Sequence, residues 1–295
     1  MIALVEQRKM AKFRGCGEPL EHRTGASTVR PVTKQGSPLH RPHTVTFDCW
    51  STLLYEAGVR TGTETRARFV ADFTGHDPER IRAAFGAAWR RHQVEWHRGT
   101  VFDGRAMTRN ALESLGVELA LGRFEELVTT LEEEILGHDI RAVDGAPRAL
   151  ERLAASGIRR ALICDTGFTP GRIVRKLLAR TGLLPLLEVT VFSEEVGVPK
   201  PDARAFDAAL SALGLPAAGA VHVGDLRRSD IAGALALKMG AVRFAGHHDD
   251  TDDGSGSTAG VIDCVAAACS PPCPRPEADA VIHSYAELCP LLGVE

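Results

Sequence analysis

No run in these 295 residues approaches the roughly 20 consecutive apolar positions that a membrane helix needs. The amino terminus is polar and lacks the apolar stretch of a secretory signal. Neither charge dominates: 35 Lys and Arg stand against 38 Asp and Glu, a net −3. The chain as a whole therefore feels no strong pull toward nucleic acid or a membrane surface. A disulfide framework is also missing. The seven cysteines, at 16, 49, 164, 264, 269, 273 and 289, are an odd number without paired spacing. Cys49 and Cys164 lie in apolar, strand-like runs, and a reducing cytoplasm is the compartment that fits. What is present is ordinary for a globular chain: 44% hydrophobic and 25% charged residues. The length gives one large or two modest domains with ample core.

Residues 1–43 hold eight Lys and Arg against three Glu, with Gly, Pro, Ser and Thr throughout. They read as a largely disordered extension, with a basic arm for an acidic partner as the sharper alternative. A β/α rhythm follows. Strands are expected at His43–Phe47, Arg159–Cys164, Leu187–Phe192, Ala220–Gly224, Ala241–Ala245 and Ala280–His283. Helices are expected between most of them: over Ala146–Ser156, after Thr169 as N-cap with Pro170 at N1, from Pro201, and from Ser229 as cap to Gly240. Alternation of this kind implies a doubly wound parallel sheet, an α/β fold.

The gap between the first two strands is too long for a simple crossover. Residues 57–140 carry helical patterns only, one from Asp77-Pro78 and another through Phe124, Leu127, Val128, Leu131 and Ile135. They read as an α-helical domain inserted between core segments 44–56 and 141–295. Helical spacing assigns Trp89 and Trp96 to the interior of that domain rather than to a substrate pocket. Residues 246–277 read as a flexible surface insertion. Their His247, His248, Cys264, Cys269 and Cys273 do not match a paired metal spacing.

Four segments place polar groups at strand ends, which in a parallel sheet gather along one edge. They are Phe47-Asp48-Cys49-Trp50-Ser51-Thr52-Leu53, Cys164-Asp165-Thr166-Gly167, Lys200-Pro201-Asp202, and Gly224-Asp225 followed by Ser229-Asp230. Each alone has a plainer reading, as turn former, surface charge or helix-dipole partner. Their order and spacing together resemble the four motifs of the haloacid dehalogenase-like superfamily. The resemblance spans residues 43–245 and resumes at 278–290, with the helical insertion where that family carries its cap.

The resemblance implies a Rossmann-like core and a hydrolase in which Asp48 is the covalent nucleophile and Lys200 its charge partner. It implies Mg²⁺ on Asp48, Asp225 and the backbone carbonyl of Trp50, with Asp230 ordering Lys200 or a metal-bound water. Thr52, Cys164, Asp165 and Thr166 would face the substrate phosphate. Two positions depart from the pattern. Trp50 stands where family phosphatases carry a second Asp that transfers protons, a role whose loss typically costs about 10²–10⁴ in rate. Cys164 stands where a hydroxyl residue is usual. Family 2-haloacid dehalogenases carry an aromatic residue at the first of these positions, because halide leaves without a proton, but they lack the metal site. A small-molecule phosphatase is the favoured reading. A dehalogenase-type hydrolase, or a catalytically weak binding protein that kept the pocket, is the alternative. The sequence leaves substrate identity and oligomeric state open.

Overall fold

The computed structural model describes residues 32–33, 39–58, 62–250 and 275–294. In chain order the strands are β1 (Val32–Thr33), β2 (Thr44–Phe47), β3 (Leu54–Glu56), β4 (Ile140–Ala142), β5 (Arg159–Cys164), β6 (Val189–Phe192), β7 (Ala220–Gly224), β8 (Gly240–Phe244) and β9 (Ala280–Ile282). The main sheet runs β1-β9-β8-β7-β2-β5-β6. Its six strands from β9 to β6 are parallel, and β1 joins the edge antiparallel to β9. All six expected strands are therefore present.

Burial explains why they form. Every residue of β2 is 0% exposed, as expected for a central strand covered on both faces. Both of its polar side chains are satisfied, Thr46 by His222 Nδ1 at 2.8 Å and Thr44 by His43 Nδ1 at 3.0 Å. Strand order reverses around β2, whose neighbours β5 and β7 lie on opposite sides. That switch point opens a crevice at the carboxyl ends of the strands.

Between β3 and β4 lie four helices: α1 (Gly62–Thr74), α2 (Pro78–His97), α3 (Gly104–Leu115) and α4 (Leu121–Glu133). Asp77 caps α2 by accepting from Arg80 N, as its sequence predicts. The four helices share their own apolar cluster, including Val70, Ile81, Met107 and Leu127. The chain enters and leaves them through β3 and β4, a short antiparallel ribbon in which Tyr55 faces Arg141. Three-residue strands are too short to read from periodicity.

The core helices are α5 (Ala146–Ala155), α6 (Gly171–Arg180), α7 (Ser193–Val196), α8 (Ala203–Leu213), α9 (Ala232–Ala236) and α10 (Tyr285–Leu291). Two expected caps fail. Thr169 does not cap α6; the Gly171 N–H instead donates to Glu194 Oε1 at 2.5 Å, a carboxylate from α7 taking the role. Ser229 does not cap α9 but sits inside a wide π-type turn, Arg227–Ile231, that precedes it.

Of the expected 1–43 extension, Val32–Thr33 forms β1 and Leu39 packs on the core; residues 1–31 and 34–38 lie outside the described residues. Of the expected insertion at 246–277, residues 246–250 and 275–277 are described, and Cys264, Cys269 and Cys273 lie outside. Among the described residues no helix is long and apolar enough to cross a membrane.

Candidate active site

Asp48 leaves the end of β2 with its backbone N–H donating to Val223 O at 2.8 Å. The chain then turns tightly, with Leu53 and Leu54 N–H both donating to the Cys49 carbonyl. This reversal holds Asp48, 9% exposed, at the floor of an acidic pocket.

Lys200 follows α7 in the loop before α8, and its ammonium is 1% exposed. Nζ donates to Asp48 Oδ1 at 2.6 Å and to the Ile163 carbonyl at 2.9 Å, and it meets Asp230 Oδ1 at 2.7 Å. Burial alone would lower the Lys200 pKa, but Asp230, Asp48 and Asp165 outweigh it and hold it well above the ordinary lysine value. This lysine stays charged.

Asp225 ends β7 and Asp230 lies in the π-type turn beyond. Asp230 reaches back so that its Oδ2 accepts from Leu226 N at 2.9 Å, while His222 Nε2 lies 3.3 Å from its Oδ1. The approach requires glycine at 224, because a Cβ there would lie 2.3 Å from Asp230 Cγ. Burial works to raise the Asp230 pKa, but Lys200 and His222 hold it well below the usual carboxylate range. The other two carboxylates go the opposite way. Burial raises Asp48 well above its ordinary value, with Asp230 and Asp225 adding to it against Lys200. Burial likewise pushes Asp225 up to about 6, opposed by a hydrogen bond from His248.

Oxygens of Asp48, Asp225 and Asp230 lie within 4.8 Å of one another. Three buried carboxylates around one ammonium leave an excess of negative charge. An all-oxygen set of that kind fits a hard divalent cation. Ser229 Oγ, 1% exposed and lining the same pocket, has no hydrogen-bond partner among the described residues. An orphaned donor beside the carboxylates is consistent with a ligand or ordered water completing the site.

The remaining expected site residues divide. The Trp50 side chain lines the pocket. Asp165 lines it too, with both oxygens occupied: Oδ1 accepts from Lys200 N and Oδ2 from Trp96 Nε1, each at 2.9 Å. Thr166 instead lines the neighbouring cavity, where its hydroxyl is bonded to Ser193 and Glu194. Thr52 is 0% exposed; its Oγ1 has no partner among the described residues, and its carbonyl accepts from Tyr285 OH at 3.0 Å. Cys164 is 1% exposed in the core, its thiol held protonated by contact with Cys49 and by burial. Neither Thr52 nor Cys164 lines either cavity.

His248, set aside in the sequence with a surface insertion that lacks metal spacing, lines the acidic pocket. It lies in a stretch whose composition reads as loop, yet the chain folds back so that Nδ1 sits 2.8 Å from Asp225 Oδ2. Asp250 holds this return by accepting from Arg227 N at 2.8 Å. The only foreshadowing in sequence is the His-His-Asp-Asp run after β8.

A second cavity, of about 460 Å³, adjoins the acidic pocket through Trp50, Trp96, Asp165 and Thr169. Helix α2 supplies Trp89, His92 and Trp96 to its wall. Trp89 packs against the helical domain's own apolar cluster as expected and also faces this cavity, whereas Trp96 lines the cavity and is not among that cluster's residues, so its expected place is corrected. Both are on the face of α2 that meets the loop after β5, where Phe168 stacks on Trp89 with centroids 6.0 Å apart.

The model of the haloacid dehalogenase-like hydrolases matches residues 42–238. Pyrimidine 5′-nucleotidase YjjG of Escherichia coli is 32% identical over 151 residues, 48% of this chain and 66% of that protein. Glyceraldehyde 3-phosphate phosphatase of Pyrococcus abyssi is 36% identical over 105 residues, 36% of this chain and 43% of that protein. The matches thus span less than two thirds of these relatives. Among solved structures, a HAD phosphatase from Thermococcus onnurineus superposes with a TM-score of 0.56 at 22% identity, over 85% of this chain and 98% of that one. A 2-haloacid dehalogenase from Pseudomonas syringae gives the same TM-score at 23% identity, over 85% and 97%. The fold is shared by both chemistries, and with the family model matching residues 42–238 the chain belongs to the haloacid dehalogenase-like hydrolases.

Proposed function

We propose that this hydrolase is a magnesium-dependent phosphatase of small phosphate esters that works through an aspartyl-phosphate on Asp48. One observation carries the reading: three buried carboxylates, Asp48, Asp225 and Asp230, converge around a single buried ammonium. A halide-releasing site has no need of that charge excess. Relatives named as phosphatases add weight.

In this reading an Asp48 oxygen attacks phosphorus, the bond to the bridging oxygen breaks, and that oxygen leaves with the electron pair. Water then attacks the same phosphorus, releasing inorganic phosphate and restoring Asp48. Lys200 fixes the direction of the Asp48 carboxylate and offsets the charge that gathers as phosphate approaches. Asp230 holds Lys200 in place from the far side. Asp48 and Asp225, with the Trp50 carbonyl, would hold Mg²⁺, which would keep Asp48 ionised and screen it from the phosphate. The four helices between β3 and β4 would act as the cap that selects the substrate, and the reduced, buried Cys49, Cys164 and Cys289 suit a cytoplasmic enzyme.

The test is hydrolysis of phenyl phosphate with and without Mg²⁺, wild type against Asp48→Asn. Metal-dependent turnover that falls by on the order of 10⁴ or more in the variant is expected. Turnover surviving in Asp48→Asn overturns the nucleophile. A second reading, carbon–halogen hydrolysis, is favoured by Trp50, since halide needs no acid; metal-independent halide release from 2-haloacids, with phenyl phosphate untouched, would establish it.

A further inference from the structure

The cavity beside the acidic pocket has a wall of nearly parallel rings. Trp89 lies 12° from the plane of Phe168 and 25° from that of His92. His92 lies 19° from the plane of Trp96. Their spacing along α2, three and then four residues, is what sets them in one row. Trp50, Trp89 and Trp96 all line this cavity, and they are the three tryptophans of the chain. Flat apolar walls of this kind favour a flat apolar guest.

The wall also has a polar edge. Gln93 lines the cavity at 7% exposure, and its side chain carries both an amide donor and an amide acceptor. A bound group with matching edges would pair with both. His92 Nδ1 lies 2.6 Å from the Phe102 carbonyl, which can only accept, so Nδ1 carries the proton. With the imidazole held neutral by burial, Nε2 is left as an acceptor. The cavity therefore offers an amide donor, an amide acceptor and an imidazole acceptor beside the rings.

A separate observation favours a ring bonded directly to the bridging oxygen, and does not bear on a nucleotide, whose 5′ oxygen is an alkoxide. Position 50 supplies no acid, so the bridging oxygen of a phosphate ester departs unaided. Aromatic oxygens leave as stable anions far more readily than alkoxides do.

We propose that this cavity binds a planar, hydrogen-bonding aromatic ring carried by the phosphate ester, with Trp89, Phe168 and Gln93 setting specificity. The proposal rests on the phosphatase reading of the adjoining pocket. The ring is either bonded directly to the bridging oxygen, as in a heteroaryl phosphate, or carried one sugar away, as in a nucleotide.

The experiment compares two pairs matched in leaving group, in kcat/KM: 3-pyridyl phosphate against hexafluoroisopropyl phosphate, whose alcohol is of similar acidity, and uridine 5′-monophosphate against ribose 5-phosphate. At least one ringed ester should exceed its ringless partner by about tenfold or more, and the pair that does so identifies the source. Phe168→Leu and Gln93→Leu, each checked for folding by thermal melting, should lower that ratio by roughly tenfold. In parallel, the Asp48→Asn protein is titrated with all four ligands by tryptophan fluorescence. Saturable quenching by the ringed ligands alone is expected. Phosphatase activity with equal kcat/KM across both pairs and no selective quenching overturns the proposal and leaves the phosphatase reading standing. Selective quenching without turnover of any ester supports the cavity assignment and overturns the phosphatase reading instead.

Discussion

At the scale of single residues, the site is held together by opposed pKa shifts. Asp225 is pushed up to about 6. Between the unfolded value near 3.9 and that figure, the native protein keeps a proton that the unfolded chain has released. The stability of metal-free protein therefore falls as pH rises through that window, by on the order of 3 kcal/mol from this group. Asp48, also raised by burial, acts in the same direction. Asp230 has the opposite sign, and its contribution is lost only as pH drops below the ordinary carboxylate range. His92, His97 and His222, lowered by burial, work the other way over the same range, so the Asp225 effect is read against Asp225→Asn. In chelator, the variant's Tm should gain on the wild type's from pH 5 to pH 7, and added Mg²⁺ should raise the wild-type Tm more at pH 7. No such gain, or a wild-type Tm that ignores Mg²⁺, counts against the metal site. Trp50 carries a second prediction. Trp50→Asp supplies an acid at the missing position, so turnover of alkyl phosphates should rise by about 10²-fold, with little gain for phenyl phosphate. Equal gains on both would show that proton transfer to the leaving group is not what Trp50 lacks. The residues around Asp48 were legible because four short motifs keep their order in the sequence. His248 was not, because its contact with Asp225 is made by a chain reversal that composition does not encode.

At the scale of elements, the parallel strands were legible for a simple reason. Strands covered on both faces are continuously apolar, as Ala161 to Cys164 are. Helix α2 was legible in extent but not in orientation. Its apolar face is wide enough to cover both the interior of the insertion, through Ile81, Phe85 and Ala88, and the cavity, through Trp89 and Trp96. Periodicity shows a stripe and cannot say that the stripe has two neighbours. Helix α3 was missed altogether, although Asp103 caps it and Met107, Thr108, Ala111 and Leu112 are buried. Its first residue is the hinge of a close approach. Gly104 N donates to the Gly167 carbonyl at 2.9 Å, and a Cβ at 104 would lie 3.0 Å from Phe168 Cα. Backbone cannot yield there as a flexible side chain would. Gly104→Ala should displace α3 from the loop that carries Phe168. KM for the preferred ester should rise several-fold while kcat changes less; a fall in kcat alone would place the damage in the acidic pocket instead.

The described residues of the molecule form three apolar clusters, two against the sheet and one among α1 to α4. The third is joined to the rest through the β3–β4 ribbon and through contacts across the cavity. Leu127 is 0% exposed in it. Leu127→Ala should cost about 2–5 kcal/mol, and because that loss falls within the insertion, the increase in Tm on adding Mg²⁺ should persist while binding of the ringed ester weakens. If the Mg²⁺ response vanishes as well, the helices and the sheet unfold as one cooperative body.

Asp165 gives the arrangement a further meaning. Each of its oxygens has one partner, the Lys200 backbone on the sheet side and the Trp96 indole on the helical side. The loop that aims the lysine and the helix that walls the cavity are thus fastened to the same carboxylate. The molecule contains an interlock: a helix swung open surrenders one half of the fastening, and the lysine sits on a fully secured loop only while the helix is home.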